Sequence, residues 1–306
     1  MTPYKRILCP VDFSDFSRHA LDEAIAIAHL YDGCVTALHV FPLAIAADPF
    51  AGLPEFQPFR LTDRHRAHLL RQLSTFAATE GAEQRRTTVA LREGVDIHAE
   101  ILEAADRMTP DLIVMGTHGR SGFQHLMLGS VAEKVLHKAR WPVLTVPPKA
   151  PDAVSAGPAP FTRILCGIDF SDCSLAALRH AISLASQARA QLDVLSVVQL
   201  IPMYDTTATV PLYYPGLLGD LKADIWKRLN SVVDDAASEM PVERFVTVGS
   251  PHREIVRVAT ERKTELVVLG AYSHGPIDRI VFGSTTNHVV RQSRCPVLTV
   301  RTSQPG

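Results

Sequence analysis

The strongest constraint on this chain is an internal duplication. Residues 7–21 read ILCPVDFSDFSRHAL and residues 164–178 read ILCGIDFSDCSLAAL, so 10 of 15 positions are identical at an offset of 157. The segment PVLTV at 142–146 recurs 154 residues later, and DLIVMG at 111–116 is matched by ELVVLG at the same offset of 154. Agreement at both ends and in the middle indicates one unit written twice, with a period far longer than that of solenoid repeats.

Each copy is long enough to be a domain, because 306 residues divide into two at about 100–200 residues per domain. The join is predicted within PPKAPDAVSAGPAPFT, where 5 prolines remove backbone donors and small residues leave little to bury. We therefore expect domain one at 1–147, a semi-extended linker at 148–161 and domain two at 162–302.

Charge and composition exclude some classes of function. Lys and Arg number 31 against 32 Asp and Glu, so the basic surplus typical of nucleic-acid-binding proteins is missing. The first residues lack the apolar stretch of a signal peptide, and no run reaches the length of a membrane span. The 5 cysteines form no C-x-x-C pair, which suits a reducing compartment. We expect a cytoplasmic protein that binds neither nucleic acid nor membrane.

Within each copy the periodicity alternates between strand and helix patterns. In copy one an apolar run at 5–11 is followed by Ser14, a helix N-cap, and then by apolar residues at helical spacing up to Ala28. The alternation continues to a last strand at 143–146 and repeats in copy two. Strands that alternate with helices predict parallel β-α-β units. The expected fold class is α/β, with two tandem doubly wound five-stranded parallel sheets, Rossmann-like.

A glycine loop follows the strand that ends at Met115. Gly116, Gly119, Gly129 and Ser130 form the pattern G-x2-G-x9-G-S, which ends at a helix start. Glycines let backbone amides approach a phosphate closely. The first N–H groups of the helix add a partial positive charge that favours an anion. The loop therefore predicts a phosphate site.

Two nearby cationic or donor groups, Arg120 and His125, could add to that site. The alternative interpretation is that Ser130 caps its own helix, since Ser130-Val-Ala-Glu133 fits a capping box. The loop has no Lys after its last glycine, so it is not a Walker A loop, and it is not G-x-G-x-x-G, which disfavours NAD.

Asp12 is the second candidate contact, because it ends the first strand directly before the Ser14 helix. In a doubly wound sheet this strand end borders the crevice where ligands bind. A carboxylate there can accept a hydrogen bond from a ribose hydroxyl or an adenine amino group. The alternative is that Asp12 only braces its turn or the following helix.

Together, the strand followed by Asp-x-Ser and the G-x2-G-x9-G-S loop resemble the ATP-binding subgroup of the universal stress protein family. The resemblance covers both copies, from the first strand to the fifth, and implies ATP together with Mg²⁺ as the ligand. In copy one it implies adenosine contacts from Pro10, Asp12 and Val40, ribose contacts from Met115 and Gly116, and phosphate contacts from Gly119, Gly129, Ser130 and Val131.

Copy two departs from this pattern. Ser273 stands where copy one has Gly119, and Gly167 replaces Pro10. If Ser273 must adopt a positive φ, it carries a steric cost that glycine does not. We expect a weaker site in copy two, with the corresponding positions Asp169, Val197, Gly270, Ser273, Gly283, Ser284 and Thr285.

The resemblance implies a nucleotide-dependent regulator of a stress response with an unknown protein partner. It also implies that the two PVLTV strands pair to make an intrachain pseudo-dimer, and that two chains pair further as a homo-oligomer. One alternative is a slow ATPase whose base would be Asp12, His118 or His125. The other is a partner-binding module with vestigial nucleotide sites, which would use the Pro- and aromatic-rich excursions at 42–58 and 200–216.

No dedicated catalytic signature is visible, so an enzyme is not expected beyond weak ATP hydrolysis. His65 and His68 could share one helix face, but a zinc site needs three or four ligands and no cluster stands beside them. A solvated helix face is the default interpretation of the pair, and no metal site is expected.

Overall fold

The computed structural model describes residues 3–43, 61–78, 86–118, 128–148, 160–199, 215–237, 240–271 and 283–302. The chain divides into two compact units, one spanning Pro3–Pro160 and the other starting at Phe161. We call them domain one and domain two. Most of the predicted linker at 148–161, and most of the two excursions at 42–58 and 200–216, lie outside the described residues.

Domain one alternates strands and helices from end to end. Its strands pair in parallel in the order β3-β2-β1-β4-β5. The elements are β1 Arg6–Pro10, α1 Asp15–Leu30, β2 Cys34–Pro42, α2 Asp63–Phe76, β3 Thr87–Gly94, α3 Ile97–Met108, β4 Leu112–Gly116, α4 Ser130–Lys138 and β5 Val143–Val146.

Domain two repeats this arrangement. Its strands pair in parallel in the order β8-β7-β6-β9-β10, which is the order of domain one. The elements are β6 Arg163–Ile168, α5 Asp172–Ala188, β7 Gln191–Val198, α6 Pro215–Ala236, β8 Val242–Val248, α7 Pro251–Glu261, β9 Leu266–Gly270, α8 Ser284–Gln292 and β10 Val297–Val300.

The predicted fold class is confirmed: each domain is a doubly wound, five-stranded parallel α/β sheet. The chain winds from β1 outwards through β2 and β3, and then returns to the other side of β1 with β4 and β5. The strand order therefore reverses between β1 and β4, and in domain two between β6 and β9. Ligands of such sheets bind at this point, beyond the carboxyl ends of the strands.

The N-cap and the apolar face of α1 are both encoded in the local sequence. Ser14 is the N-cap, and its hydroxyl accepts a hydrogen bond from the Ser17 amide, as predicted. The apolar residues of the helix face the sheet: Ala20, Leu21, Ala24, Ile25 and Ala28 are all buried. The helix is thereby fixed against the strands, with its N-terminus next to the end of β1.

Candidate functional site

A cavity of about 370 Å³ lies in domain one at the carboxyl ends of β1, β2 and β4. It occupies the point where the strand order reverses, so we call it the domain-one crevice. The first residues of α3 and α4 form its far wall. Eight of the residues expected at a ligand line it: Pro10, Asp12, Val40, Met115, Gly116, Gly129, Ser130 and Val131.

Three further candidates, Gly119, Arg120 and Ser273, lie outside the described residues. Their roles stay predictions. The other candidates of domain two are Asp169, Val197, Gly270, Gly283, Ser284 and Thr285, which lie at the corresponding strand ends and helix start of that domain.

Asp12 both braces its turn and lines the crevice. Its Oδ1 accepts hydrogen bonds from the Ser14 amide at 3.1 Å and from the Ser14 hydroxyl at 2.5 Å. Its own amide donates to the Ser17 hydroxyl at 3.3 Å. The bracing interpretation and the ligand interpretation of Asp12 are therefore compatible, because the turn fixes the carboxylate at the edge of the crevice.

Phe13, which no sequence pattern singled out, shapes the same turn. Its backbone has φ of 65°, a left-handed conformation that is unusual for a bulky residue. Its ring contacts the His39 ring at 4.5 Å and the Phe76 ring at 5.5 Å between centroids. The only available signal was that DFSD is identical in both copies.

Domain two contains the same turn. Oδ1 of Asp169 accepts hydrogen bonds from the Ser171 amide at 3.0 Å and from the Ser171 hydroxyl at 2.6 Å, and Phe170 has φ of 64°. Burial alone would raise the pKa of Asp169, but the hydrogen bonds from Ser171 and Ser174 outweigh it and hold the pKa below its ordinary value. The ionised carboxylate is thus part of the folded turn.

The start of α4 corrects one interpretation of the glycine loop. The N-cap is Gly129, Ser130 is the first helical residue, and no side chain caps the helix. The capping-box interpretation of Ser130 and Glu133 is therefore wrong. In a capping box Ser130 would be the N-cap. The Glu133 amide instead donates to the Gly129 carbonyl, so the helix begins one residue earlier.

This start leaves donors for an anion. The amides of Ser130, Val131 and Ala132 precede the first bond of the helix and have no partner within it. The Gly129 amide itself donates to the Thr117 carbonyl at 2.7 Å, and a Cβ at position 129 would come within 3.2 Å of that oxygen. Gly129 thus anchors the loop, while the next three amides lie at the crevice wall.

The backbone groups of Val40 are directed to the side of β2 on which β1 has ended. The pairing of β1 with β2 ends at Pro10 and Leu38, and the Val11 amide donates to the Leu38 carbonyl at 2.8 Å. In a parallel ladder alternate residues face the same neighbour. Val40, two residues beyond Leu38, therefore directs its amide and carbonyl to the side where β1 has ended.

Two histidines also line the crevice. His39 is buried, and its Nδ1 donates to the Val11 carbonyl at 2.8 Å, which ties β2 to the residue before Asp12. His118 was expected near the loop, and its Nδ1 lies 2.9 Å from the Thr117 hydroxyl. The only sequence signal for His39 was a polar residue within the apolar run from Ala37 to Val40.

The crevice region of domain two differs in its side chains. A Cβ at Gly167 would come within 2.6 Å of Cδ2 of Leu269, so the leucine lies directly over the position that Pro10 occupies in domain one. The first turn of α8 also differs, because the Thr286 hydroxyl donates to the Gly270 carbonyl at 3.0 Å where domain one has Ala132. The two domains thus share a backbone plan but not a binding surface.

Other candidate groups lie apart from the crevice. Cys9 and Cys166 are fully buried in corresponding strands, and burial raises the pKa of both thiols. Among the described residues no group of three or more His, Cys, Asp or Glu is arranged to hold a metal ion. No helix in the described part of the chain is long and apolar enough to cross a membrane.

Comparison with known proteins gives consistent matches. A profile of the universal stress protein family matches residues 3–147 and 160–301. A universal stress protein of Methanocaldococcus jannaschii is 37% identical over 154 residues, which are 47% of this chain and 82% of that protein. A universal stress protein of Mycobacterium tuberculosis is 26% identical over 278 residues and 88% of both chains.

The fold of the whole chain has a solved counterpart. The crystal structure of a universal stress protein from Archaeoglobus fulgidus matches 98% of this chain and 99% of that one, with a TM-score of 0.65 and 21% identity. At this identity the likeness concerns the fold alone. The family profile covers both domains, and the match to the Mycobacterium tuberculosis protein extends over both of them. The chain therefore belongs to the universal stress protein family, as a tandem member with two copies of the family domain.

Proposed function

We propose that domain one binds ATP, together with Mg²⁺, in the crevice between β1 and β4. The observation that carries this proposal is a cavity of about 370 Å³ with the Asp12 carboxylate on one side and the first amides of α4 on the other. Its volume falls within the range of about 300–1,000 Å³ that is typical of small-molecule sites. A carboxylate for the sugar or base and a helix N-terminus for phosphate are the two recognition groups that a nucleotide needs.

In the proposed complex, Pro10, Asp12 and the backbone of Val40 contact the adenosine. Met115 and Gly116 lie by the ribose. The phosphates meet the loop from Gly119 and Arg120 to Gly129 and the amides of Ser130 and Val131, where the helix adds its partial positive charge. The metal ion would neutralise phosphate charge.

We propose a weaker site in domain two. The same turn is present at Asp169, but the Leu269 side chain lies over Gly167, where domain one has Pro10. Ser273 in place of glycine adds a steric cost if its φ must be positive. Val197, Gly270, Gly283, Ser284 and Thr285 would make the remaining contacts.

Two variants test the two ends of the crevice separately. Asp12→Asn keeps the hydrogen-bond acceptor for Ser14 but removes the charge, and should weaken ATP and adenosine alike, by about tenfold or more. Gly129→Val crowds the Thr117 carbonyl at the phosphate end, and should weaken ATP by at least about tenfold while adenosine changes little. Isothermal titration of the full chain with each ligand, with and without Mg²⁺, measures both.

The duplication supplies matched controls. Asp169→Asn and Gly283→Val make the same changes in domain two, where the N-cap glycine has nearly the same backbone angles as Gly129. Both should leave the tighter ATP-binding event unchanged. Absence of ATP binding by the unaltered chain, or equal effects of the two sets of variants, would refute the assignment to domain one.

A slow ATPase is the second candidate, favoured by the position of His118 at the crevice and its bond to Thr117. Steady phosphate release from Mg-ATP that is lost in His118→Ala, with ATP affinity retained, would support it. If phosphate were released no faster than from ATP in the absence of the protein, ATP would be a bound effector and not a substrate.

At the level of the cell, we propose a cytoplasmic regulator whose ATP-bound state is read by a protein partner in a stress response. A ligand can shift a population only through a difference in affinity between two states. The proposed pseudo-dimer of PVLTV strands and a further pairing of chains are the states that ATP would bias. Light scattering with and without Mg-ATP tests the pairing of two chains, because that pairing doubles the molar mass.

A further inference from the structure

A second cavity, of about 230 Å³, lies in domain two, at the end of the sheet opposite to the carboxyl ends of the strands. It lies between α7 and α8, beside the amino end of β9 and the segment from Ser293 to Cys295 that precedes β10. Its apolar lining comes from Ile255, Ala259, Val267 and Val289, and Cys295 completes it. None of these residues belongs to the proposed nucleotide site, so this cavity requires its own explanation.

Domain one has a larger side chain at the position that corresponds to Cys295. At the offset of 154, Arg140-Trp141 of domain one corresponds to Arg294-Cys295 of domain two. In domain one the Arg140 guanidinium lies over the Trp141 ring at 4.6 Å from its centroid, a cation–π contact. Domain two keeps the arginine at the cavity but has a thiol in place of the indole. Domain two thus retains the arginine but has a small side chain where domain one has a large planar ring.

Size and charge define what could replace that ring. Cavities of about 150 Å³ with apolar walls bind benzene, so about 230 Å³ has room for one or two fused rings. Lys263 and Arg294 are exposed and line the cavity, while no Asp or Glu is among its lining residues. Burial raises the pKa of the Cys295 thiol, which therefore stays neutral. The cavity thus combines a mainly apolar interior, with the buried Thr264 in its lining, and a cationic edge.

We propose that this cavity binds a small aromatic carboxylate. Its ring would lie among Val267, Val289 and Cys295 with the Arg294 guanidinium over it, and its carboxylate would meet Lys263 and Arg294 at the edge. The cavity shares no lining residue with the domain-one crevice or with the weaker site proposed in domain two.

Indole-3-acetate is a suitable probe, because it carries the ring of Trp141 and one carboxylate. The full-length protein should bind it in isothermal titration and in saturation-transfer NMR. Cys295→Trp supplies the residue of domain one and should abolish binding while leaving the ATP titration unchanged. Absence of binding at millimolar indole-3-acetate, or undiminished binding by Cys295→Trp, would overturn the proposal.

A surface variant keeps the test decisive if Cys295→Trp does not fold. Arg294→Glu should weaken the binding of indole-3-acetate by about tenfold or more. The binding of neutral indole should weaken by a smaller factor. Arg253 is also exposed, on α7 and outside the cavity, so Arg253→Glu is the matched control and should change neither affinity. Equal losses in both arginine variants would show a general charge effect and would contradict the site.

Discussion

At the scale of single residues, the segment Asp-Phe-Ser-Asp determines how each copy presents its first strand end. Asp12 and Asp169 accept the same two hydrogen bonds from the serine two positions later. The phenylalanine that follows each aspartate has a left-handed backbone conformation. Its steric cost must be offset by the surrounding contacts. The identity of this segment in the two copies thus reflects one turn geometry.

The lowered pKa of Asp169 predicts how the stability of domain two depends on pH. The folded pKa lies below the unfolded value, so the ionised carboxylate stabilises the fold at any pH above about 4. This contribution is lost as the pH falls through the lower, folded pKa. Asp169→Asn should therefore lower the free energy of unfolding near neutral pH and have progressively less effect towards about pH 3.

Urea unfolding of the wild-type chain and of Asp169→Asn over this pH range measures the difference. The gap in the free energy of unfolding should narrow steadily as the pH falls. A gap of constant size would show that Asp169 does not act through its charge.

At the scale of elements, the two domains hold the edge of the sheet by different chemistry. In domain one, Thr36 of β2 and Thr88 of β3 share a hydrogen bond at 3.0 Å. In domain two the position of Thr36 is taken by Asp193, which is fully buried and accepts from Arg262 at 2.9 and 3.3 Å. Arg262 also pairs with Glu243 of β8, so one arginine links α7 to two strands.

Removing that arginine should be costly. Arg262→Met introduces the residue that domain one has there, Met108, and leaves Asp193 buried with Arg163 at 3.5 Å as its cationic partner in the described structure. The expected loss in the free energy of unfolding of domain two is about 3 kcal/mol, because a buried carboxylate loses its best partner. Denaturant unfolding measures it.

The double variant Asp193→Thr/Arg262→Met is the matched control. It reproduces both residues of domain one and leaves no buried charge, so it should be less destabilised than Arg262→Met alone. If the double variant were the less stable of the two, the cost would come from lost packing and not from the unpaired carboxylate.

At the scale of the whole molecule, duplication followed by divergence has left one framework with different side chains at the crevice. If ATP binds mainly to domain one, it should stabilise that domain by mass action, by about 2.7 kcal/mol at a ligand concentration of 100 times Kd. Calorimetry of the full chain should then show an unfolding transition of domain one that rises by on the order of 5 °C or more.

The same scan contains its own comparison. The transition of domain two should move less, because Ser273 stands where the loop of domain one has Gly119 and the site is proposed to be weaker. Asp12→Asn should remove most of the shift in domain one. A shift of domain one that is undiminished in that variant would contradict the assignment of the site to Asp12.

The sequence by itself determined the duplication, the fold class, the N-cap at Ser14 and which strand ends border the crevice. These features depend on periodicity and on side chains acting on their own backbone, so they are local. The roles of Gly119, Arg120 and Ser273 remain predictions from the loop pattern alone.

Only the tertiary structure decided the rest. It showed that α4 starts at Ser130 without a side-chain cap, that His39 ties β2 to Val11, and that Leu269 lies over Gly167. It also showed a cavity beside Cys295. Each of these depends on which residues meet across elements that are far apart in the chain, and local pattern carries no information about that.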